Sequence, residues 1–229
     1  DIFNEASQGV VYISTDKGTA SGVIISNRGH IITNWHAINK ADPSSIQAIL
    51  HYSYNFKEFE DHLFNIEIIK VDEISDLALI KIINPPEYLK VIKISKVIPA
   101  VGSEAHAIGH PHGEVWTYTK GYISQHRDDY EWRYEDNDLQ HEANVYQIQT
   151  PISEGSSGGP LLNEFGNLIG INTFGSKDKL KEKVEDIVST IFNTGTVPEE
   201  AGVIATQLDT LVEDNVATST DIIPPNRGV

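Results

Sequence analysis

Short runs of β-branched and apolar residues recur along the chain in two sets of six, and this rhythm restricts the fold more than any other feature. The first set reads "VVYIS" from Val10, "SGVIIS" from Ser21, "HIIT" from His30, "IQAIL" from Ile46, "IEIIKV" from Ile66 and "LALIKI" from Leu77. After the proline-rich break "NPPEYLK" at residues 84–90 come "EAHAIG" from Glu104, "WTYTKGYIS" from Trp116, "VYQIQT" from Val145, "PLLN" from Pro160, "NLIGINTF" from Asn167 and "GVIAT" from Gly202. Turn-bounded strands in two similar halves predict an all-β chain of two six-stranded antiparallel β-barrels side by side. The expected division is residues 1–95 for the N-terminal barrel, 96–216 for the C-terminal barrel and 217–229 for a tail or linker.

Two segments interrupt the rhythm. Residues 127–142, "RDDYEWRYEDNDLQHE", show no clean period over their length and read as a long charged loop between strands. Residues 178–193 place Leu180, Val184, Ile187, Val188, Ile191 and Phe192 at helical spacing, which predicts an inserted amphipathic helix packed on the barrel. A short closing helix is expected over 207–215, with Leu208, Leu211 and Val212 facing inward.

Composition narrows the chemistry. Cysteine is absent, which excludes disulfides, zinc–cysteine sites and a thiol nucleophile. Methionine is absent too, even at position 1, so the chain reads as a processed or trimmed product. Seventeen basic against thirty-three acidic residues give a net charge of −16, which disfavours nucleic acid and anionic membrane surfaces as partners. No stretch approaches the roughly 20 apolar residues of a membrane helix, so no membrane insertion is expected.

A serine can act as a nucleophile only with an imidazole to take its proton, a carboxylate to hold the imidazole and donors for the oxyanion. "ISEGSSGGPL", residues 152–161, sets two serines among glycines. "IITNWHAI" places His36 just past a strong β-run, and "ISDLALIKI" places Asp76 at the head of a buried strand, an odd position for a carboxylate without a partner. Taken singly, His36 reads more readily as a hydrogen-bonded structural histidine, Asp76 as a strand-edge turn residue and Ser157 as loop filler.

In the order His36, Asp76, Ser157, the sequence resembles the trypsin-like serine proteases, and within them the bacterial HtrA/Deg branch. The resemblance runs through "ASGVIISNRGHIITNWHAI", "SDLALIKI", "AIGHPHG" with the later "KGYIS", and "QTPISEGSSGGPLLNEFGNLIGINTFG", covering residues 20–176 with two gaps. It implies a chymotrypsin-like fold, Ser157 as nucleophile, His36 as general base and acid, and Asp76 as the group that orients His36. The N–H groups of Gly155 and Ser157 would form the oxyanion hole. Thr173, Phe174 and Gly175 would pair with an extended substrate, with Thr173 near enough to donate to Asp76. Ile152, Ser153, Phe174, Gly202 and Ile204 would wall a pocket without charge, which implies a small or medium aliphatic residue at the cleavage site. Ser156 stands where zymogen-type relatives carry an aspartate, which argues against activation by a buried N-terminus. The strand "GINTFGS" lacks the histidine of the glutamate-specific branch.

The expected function is therefore a cofactor-free serine endopeptidase that cleaves unfolded or extended polypeptides through an acyl-enzyme on Ser157. Its activity should rise through about pH 6 to 7.5, because a general-base imidazole must be neutral. Two alternatives stand beside it: an inert protease-fold peptide binder or scaffold, and a protease dedicated to one partner. Helix 178–193 and loop 127–142 are expected to act as a gate or exosite. His106, His110 and His112 in "HAIGHPHG" fit no recognised metal-ligand spacing, and no metal is expected. By analogy with the branch, the protein would be exported, periplasmic or extracellular. A homo-trimer would rest on Phe3, the aromatic residue near the N-terminus. The PDZ-like domain that accompanies many relatives is not expected from the residues after the closing helix.

Overall fold

A computed structural model describes residues 1–51, 63–134, 138–175 and 202–205, with residues 174, 175 and 202–205 described by their backbone alone. All twelve expected strands are present. The first closed barrel orders β1 (Val10–Thr15), β2 (Gly18–Ile24), β3 (His30–Asn34), β6 (Leu77–Ile82), β5 (Leu63–Asp72) and β4 (Gln47–Leu50). The second orders β10 (Pro160–Leu162), β11 (Leu168–Gly175), β12 (Gly202–Ala205), β9 (His141–Ile148), β8 (Thr117–Trp132) and β7 (Glu104–Gly109). Every pairing between neighbours is antiparallel.

The strands of the first barrel are apolar on both faces, and the reason is their position. Val11, Ile13, Ile24, Ile31, Ile80 and Ile82 point into the barrel. Their alternates Val10, Val23, Ile32 and Leu79 turn outward, against Ile108, Trp116, Leu168 and Ile171 of the second barrel. Period-two alternation thus feeds two cores, so these runs read as continuously hydrophobic. A smaller cluster, including Ile123, Tyr146, Ile148 and Leu161, fills the second barrel.

Two features depart from expectation. A short helix, α1 (Ile2–Ala6), opens the chain, capped by the Asp1 side chain, which accepts from the Phe3 N–H; five residues are too few for a periodic signal. Phe3 packs edge-on against Tyr118 of its own chain, ring centroids 6.0 Å apart. The second departure corrects the expected loop over 127–142: residues 127–132 and 141–142 of it are strand. β8 runs on to Trp132, and β9 begins at His141, paired directly with it. Beyond Arg127, β8 pairs among the described residues with β9 alone, and the two strands form an arm. Register shifts between Ile123 and Gln125 and between Arg127 and Tyr130 break its alternation, which hides the strand from a window taken over the whole segment. The helices expected over 178–193 and 207–215 lie outside the described residues.

Candidate active site

β3 ends at Asn34, and the turn that follows carries His36. Asp76 sits in the turn before β6, fully buried and with φ +55°, a left-handed conformation that only strong surrounding contacts hold in a non-glycine residue. Those contacts are present. The backbone carbonyl of Asp76 accepts from Trp35 N–H (3.1 Å) and from Asn34 Nδ2 (3.0 Å). Its carboxylate accepts from His36 N–H at Oδ1 (2.8 Å) and from His36 Nδ1 at Oδ2 (2.7 Å). With Nδ1 committed to the carboxylate, Nε2 is the nitrogen left to exchange a proton.

Ser157 comes from the other barrel. It lies in the turn before β10, where Ser21 N–H of β2 donates to its carbonyl at 2.8 Å. Its hydroxyl donates to the carbonyl of Thr173 on β11 (3.1 Å), so its one proton is not directed at His36. Thr173 closes the circuit, because its hydroxyl accepts from Asn34 Nδ2 at 3.3 Å. A continuous chain of hydrogen bonds thus joins His36, Asp76, Asn34, Thr173 and Ser157 across the two barrels. The expected bond from Thr173 to Asp76 is absent, which corrects that reading. Thr173 instead spends its proton on the Ile171 carbonyl (3.1 Å), while Tyr134 of the arm supplies the hydroxyl to Asp76 Oδ2 at 2.7 Å. Burial first, and then the Asp76 charge, push the Tyr134 hydroxyl well above the usual phenol range, so it remains a proton donor.

Gly155 and Gly158 both adopt left-handed φ, +92° and +83°. A Cβ on Gly155 would collide with the His110 carbonyl, and one on Gly158 with the Ser21 carbonyl and Thr33 Oγ1. The peptide joining Glu154 to Gly155 is oriented by His112, whose N–H donates to the Glu154 carbonyl at 2.8 Å. Among the described residues no peptide is cis, so the Gly155 N–H points to the opposite side. The Gly155 carbonyl accepts from Ser21 Oγ (2.8 Å). Since Ser21 gives its proton there, His110 Nδ1 must be the donor in its 2.9 Å bond to Ser21 Oγ. Burial pushes His110 down to about 3, which keeps the ring neutral.

The remaining expected site residues are less closely gathered. Ile152 and Ser153 are half-buried beside the Ser157 turn. Register places Phe174 opposite Val203, Gly175 opposite Gly202 and Asn172 opposite Ile204 on the paired β11 and β12. The three histidines of "HAIGHPHG" diverge: His106 meets Tyr118 (2.7 Å), His110 is buried against Ser21, and His112 is exposed on a 3-10 turn. No metal-binding group of three ligands occurs among the described residues.

A model of the trypsin-like peptidase domain matches residues 20–171. The chain belongs to the trypsin-like peptidase family. Its similarities run to the HtrA/Deg branch. The chain is 34% identical to the serine endoprotease DegS of Escherichia coli over 91% of its own length and 51% of that protein. It is 35% identical to the periplasmic pH-dependent serine endoprotease DegQ of Escherichia coli over 69% of this chain and 31% of that one. Protease Do-like 1, a chloroplastic protein of Arabidopsis thaliana, is 31% identical over 75% of this chain and 40% of its own length. The chain therefore spans about half or less of these curated relatives. Among solved structures, the serine endoprotease from Yersinia pestis superposes with a TM-score of 0.67 at 27% identity, covering 93% of this chain and 64% of that one. The active form of the Rv3671c protease from M. tuberculosis, at 16% identity, shares the fold with a TM-score of 0.72, covering 97% of this chain and 86% of its own.

Tyr134, like Asn34 and Ser21, is a site residue that sequence reasoning missed. The signal was present at short range, since Tyr130, Trp132 and Tyr134 alternate with Glu131 and Arg133, a strand period over five residues.

Proposed function

We propose that this peptidase is a serine endopeptidase acting on unfolded or extended polypeptides through an acyl-enzyme on Ser157. The observation that carries this reading is the fully buried Asp76, whose carboxylate accepts twice from His36 and whose backbone carbonyl is linked through Asn34 and Thr173 to Ser157. The Ser157 hydroxyl swings from the Thr173 carbonyl to His36 Nε2, a rotamer change of the kind side chains make in about a nanosecond or less at exposed sites. Ser157 Oγ then attacks the scissile carbonyl carbon while His36 takes the proton. The new oxyanion meets the Gly155 and Ser157 N–H groups, a role favoured by the His112 bond that turns the Gly155 N–H away from His112. His36 returns the proton to the leaving amine. Water then attacks the ester and gives a proton to His36, which passes it to Ser157 Oγ as the carboxylic acid leaves.

The pocket residues Ile152, Ser153, Phe174, Gly202 and Ile204 carry no charge, which supports cleavage after small or medium aliphatic residues. Backbone groups of residues 173–175 would pair with the substrate as an added strand. Residues 1–95, 96–216 and 217–229 serve as the two barrel units and a tail, and the protein works in an exported compartment.

An inert scaffold is the second reading, favoured by the Ser157 hydroxyl being spent on Thr173. An active-site phosphonate separates the two. The peptidase reading expects stoichiometric labelling that Ser157→Ala abolishes, together with turnover of a casein-like substrate and a preference for Ala, Val or Leu over Lys or Asp before the cut. Absence of labelling in the unaltered chain would leave the scaffold.

A further inference from the structure

The arm formed by β8 and β9 is fastened to the turn that carries Asp76 at three points. His141 Nδ1 meets the Glu73 carbonyl at 2.8 Å, necessarily as donor, since a carbonyl only accepts. Glu142 N–H donates to the Ile74 carbonyl at 2.9 Å. Tyr134 O–H donates to Asp76 Oδ2 at 2.7 Å. The first two bonds hold residues 73 and 74, and the third reaches the carboxylate itself. All three cross from the second barrel to the first.

The aromatic packing of the arm fixes the direction of the Tyr134 hydroxyl. Trp132 stacks on His141 with centroids 5.3 Å apart and planes 19° from parallel. His141 meets Tyr134 edge-on at 5.1 Å, and Tyr134 lies against the His36 ring at 4.6 Å. Trp132, Ala143 and Val145 form a small core of their own, with Tyr130 and Tyr134 packed against it. The hydroxyl is therefore held by a preformed aromatic stack, and it meets a carboxylate that is fully buried. Oδ2 accepts from both His36 Nδ1 and Tyr134, so losing the phenol leaves that oxygen with one donor where it had two.

Resting on the peptidase reading above, we infer that Tyr134 is a positioning residue for the reaction. Its hydroxyl fixes the orientation of the Asp76 carboxylate, and its ring the plane of His36, so an element of the barrel bearing Ser157 sets the geometry of the base in the other barrel. Its contacts are with the Asp76 carboxylate and the His36 ring, and it acts through them.

Tyr134→Phe in the full chain tests this, because it removes the hydroxyl and keeps the ring against His36. The expected result is a fall in kcat on a peptide substrate of about tenfold, the size of one lost bond to a charged group, with KM within about twofold. The downfield proton resonance of His36 Nδ1–H should shift together with it. Unchanged kcat and an unchanged resonance would overturn the inference. If the variant does not fold, the unaltered protein with tyrosine labelled at Cζ gives the answer: slow exchange of the Tyr134 hydroxyl proton is expected, and rapid exchange overturns the inference. If the unaltered chain neither reacts with phosphonate nor turns over peptide, the peptidase reading fails. The His36 resonance in Tyr134→Phe then still decides whether Tyr134 positions the imidazole.

Discussion

Gly158, directly after Ser157, combines a left-handed backbone with no room for a side chain, since a Cβ would run into the Ser21 carbonyl and Thr33 Oγ1 of the first barrel. Gly158→Ala should therefore lower stability by about 2 kcal/mol or more, from backbone strain plus forced separation of β2 from the Ser157 turn. A urea midpoint within error of the unaltered protein would refute this. Ser157, His36 and Asp76 were singled out by the resemblance of the motifs around them, since none of the three is distinctive taken singly. The partner of Asp76 was not, because residue type does not say where a hydroxyl proton goes. Thr173 has the right chemistry and a bond to Asn34, but its proton is taken by the Ile171 carbonyl two residues away.

Strands were the most legible elements, since β-branched runs bounded by turn residues report directly on a half-buried or buried extended chain. The arm escaped because β8 is bulged and, beyond the barrel, exposes charged residues such as Arg127, Asp128 and Glu131 around a narrow aromatic stripe. Its physical role belongs to this scale. His141→Leu deletes the donor to the Glu73 carbonyl and should loosen the turn over residues 72–76 without unfolding either barrel. Hydrogen exchange should quicken by about tenfold or more at the amides of Ser75 and Glu142, with β2 amides unchanged, as expected from losing one part-buried bond. Uniform acceleration through both barrels would show that the arm supports the whole fold and not this turn.

Across the whole molecule, acid is the solvent condition that opposes this fold. Burial is the leading cause that lowers His30, His51, His106 and His110, and for His110 it does so to about 3. In the unfolded chain these imidazoles bind protons near pH 6.5, so below that value the unfolded state holds more protons than the folded one. Their contribution to stability is complete above about pH 6.5 and is lost as pH falls, for His110 down to about pH 3, at up to about 1.4 kcal/mol per pH unit. Relief of the −16 net charge acts in the opposite sense, but mainly where carboxylates titrate, near pH 4. The urea midpoint should accordingly drop between pH 7 and 5. A midpoint that held or rose over that interval would contradict the burial of these rings.

Ser21 belongs to the first barrel, yet its hydroxyl serves His110 and the Gly155 carbonyl of the second, while its N–H serves Ser157. Tyr134 makes the reverse loan. Each half thus keeps a residue whose work is done in the other, and the halves must be inherited together. A recombinant that joined the first barrel of this chain to the second barrel of a distant relative could retain two sound cores and still lose the junction between them. Sequence change at Ser21, His110 and Tyr134 is constrained in pairs across the junction, however freely the outer surfaces of the two barrels diverge.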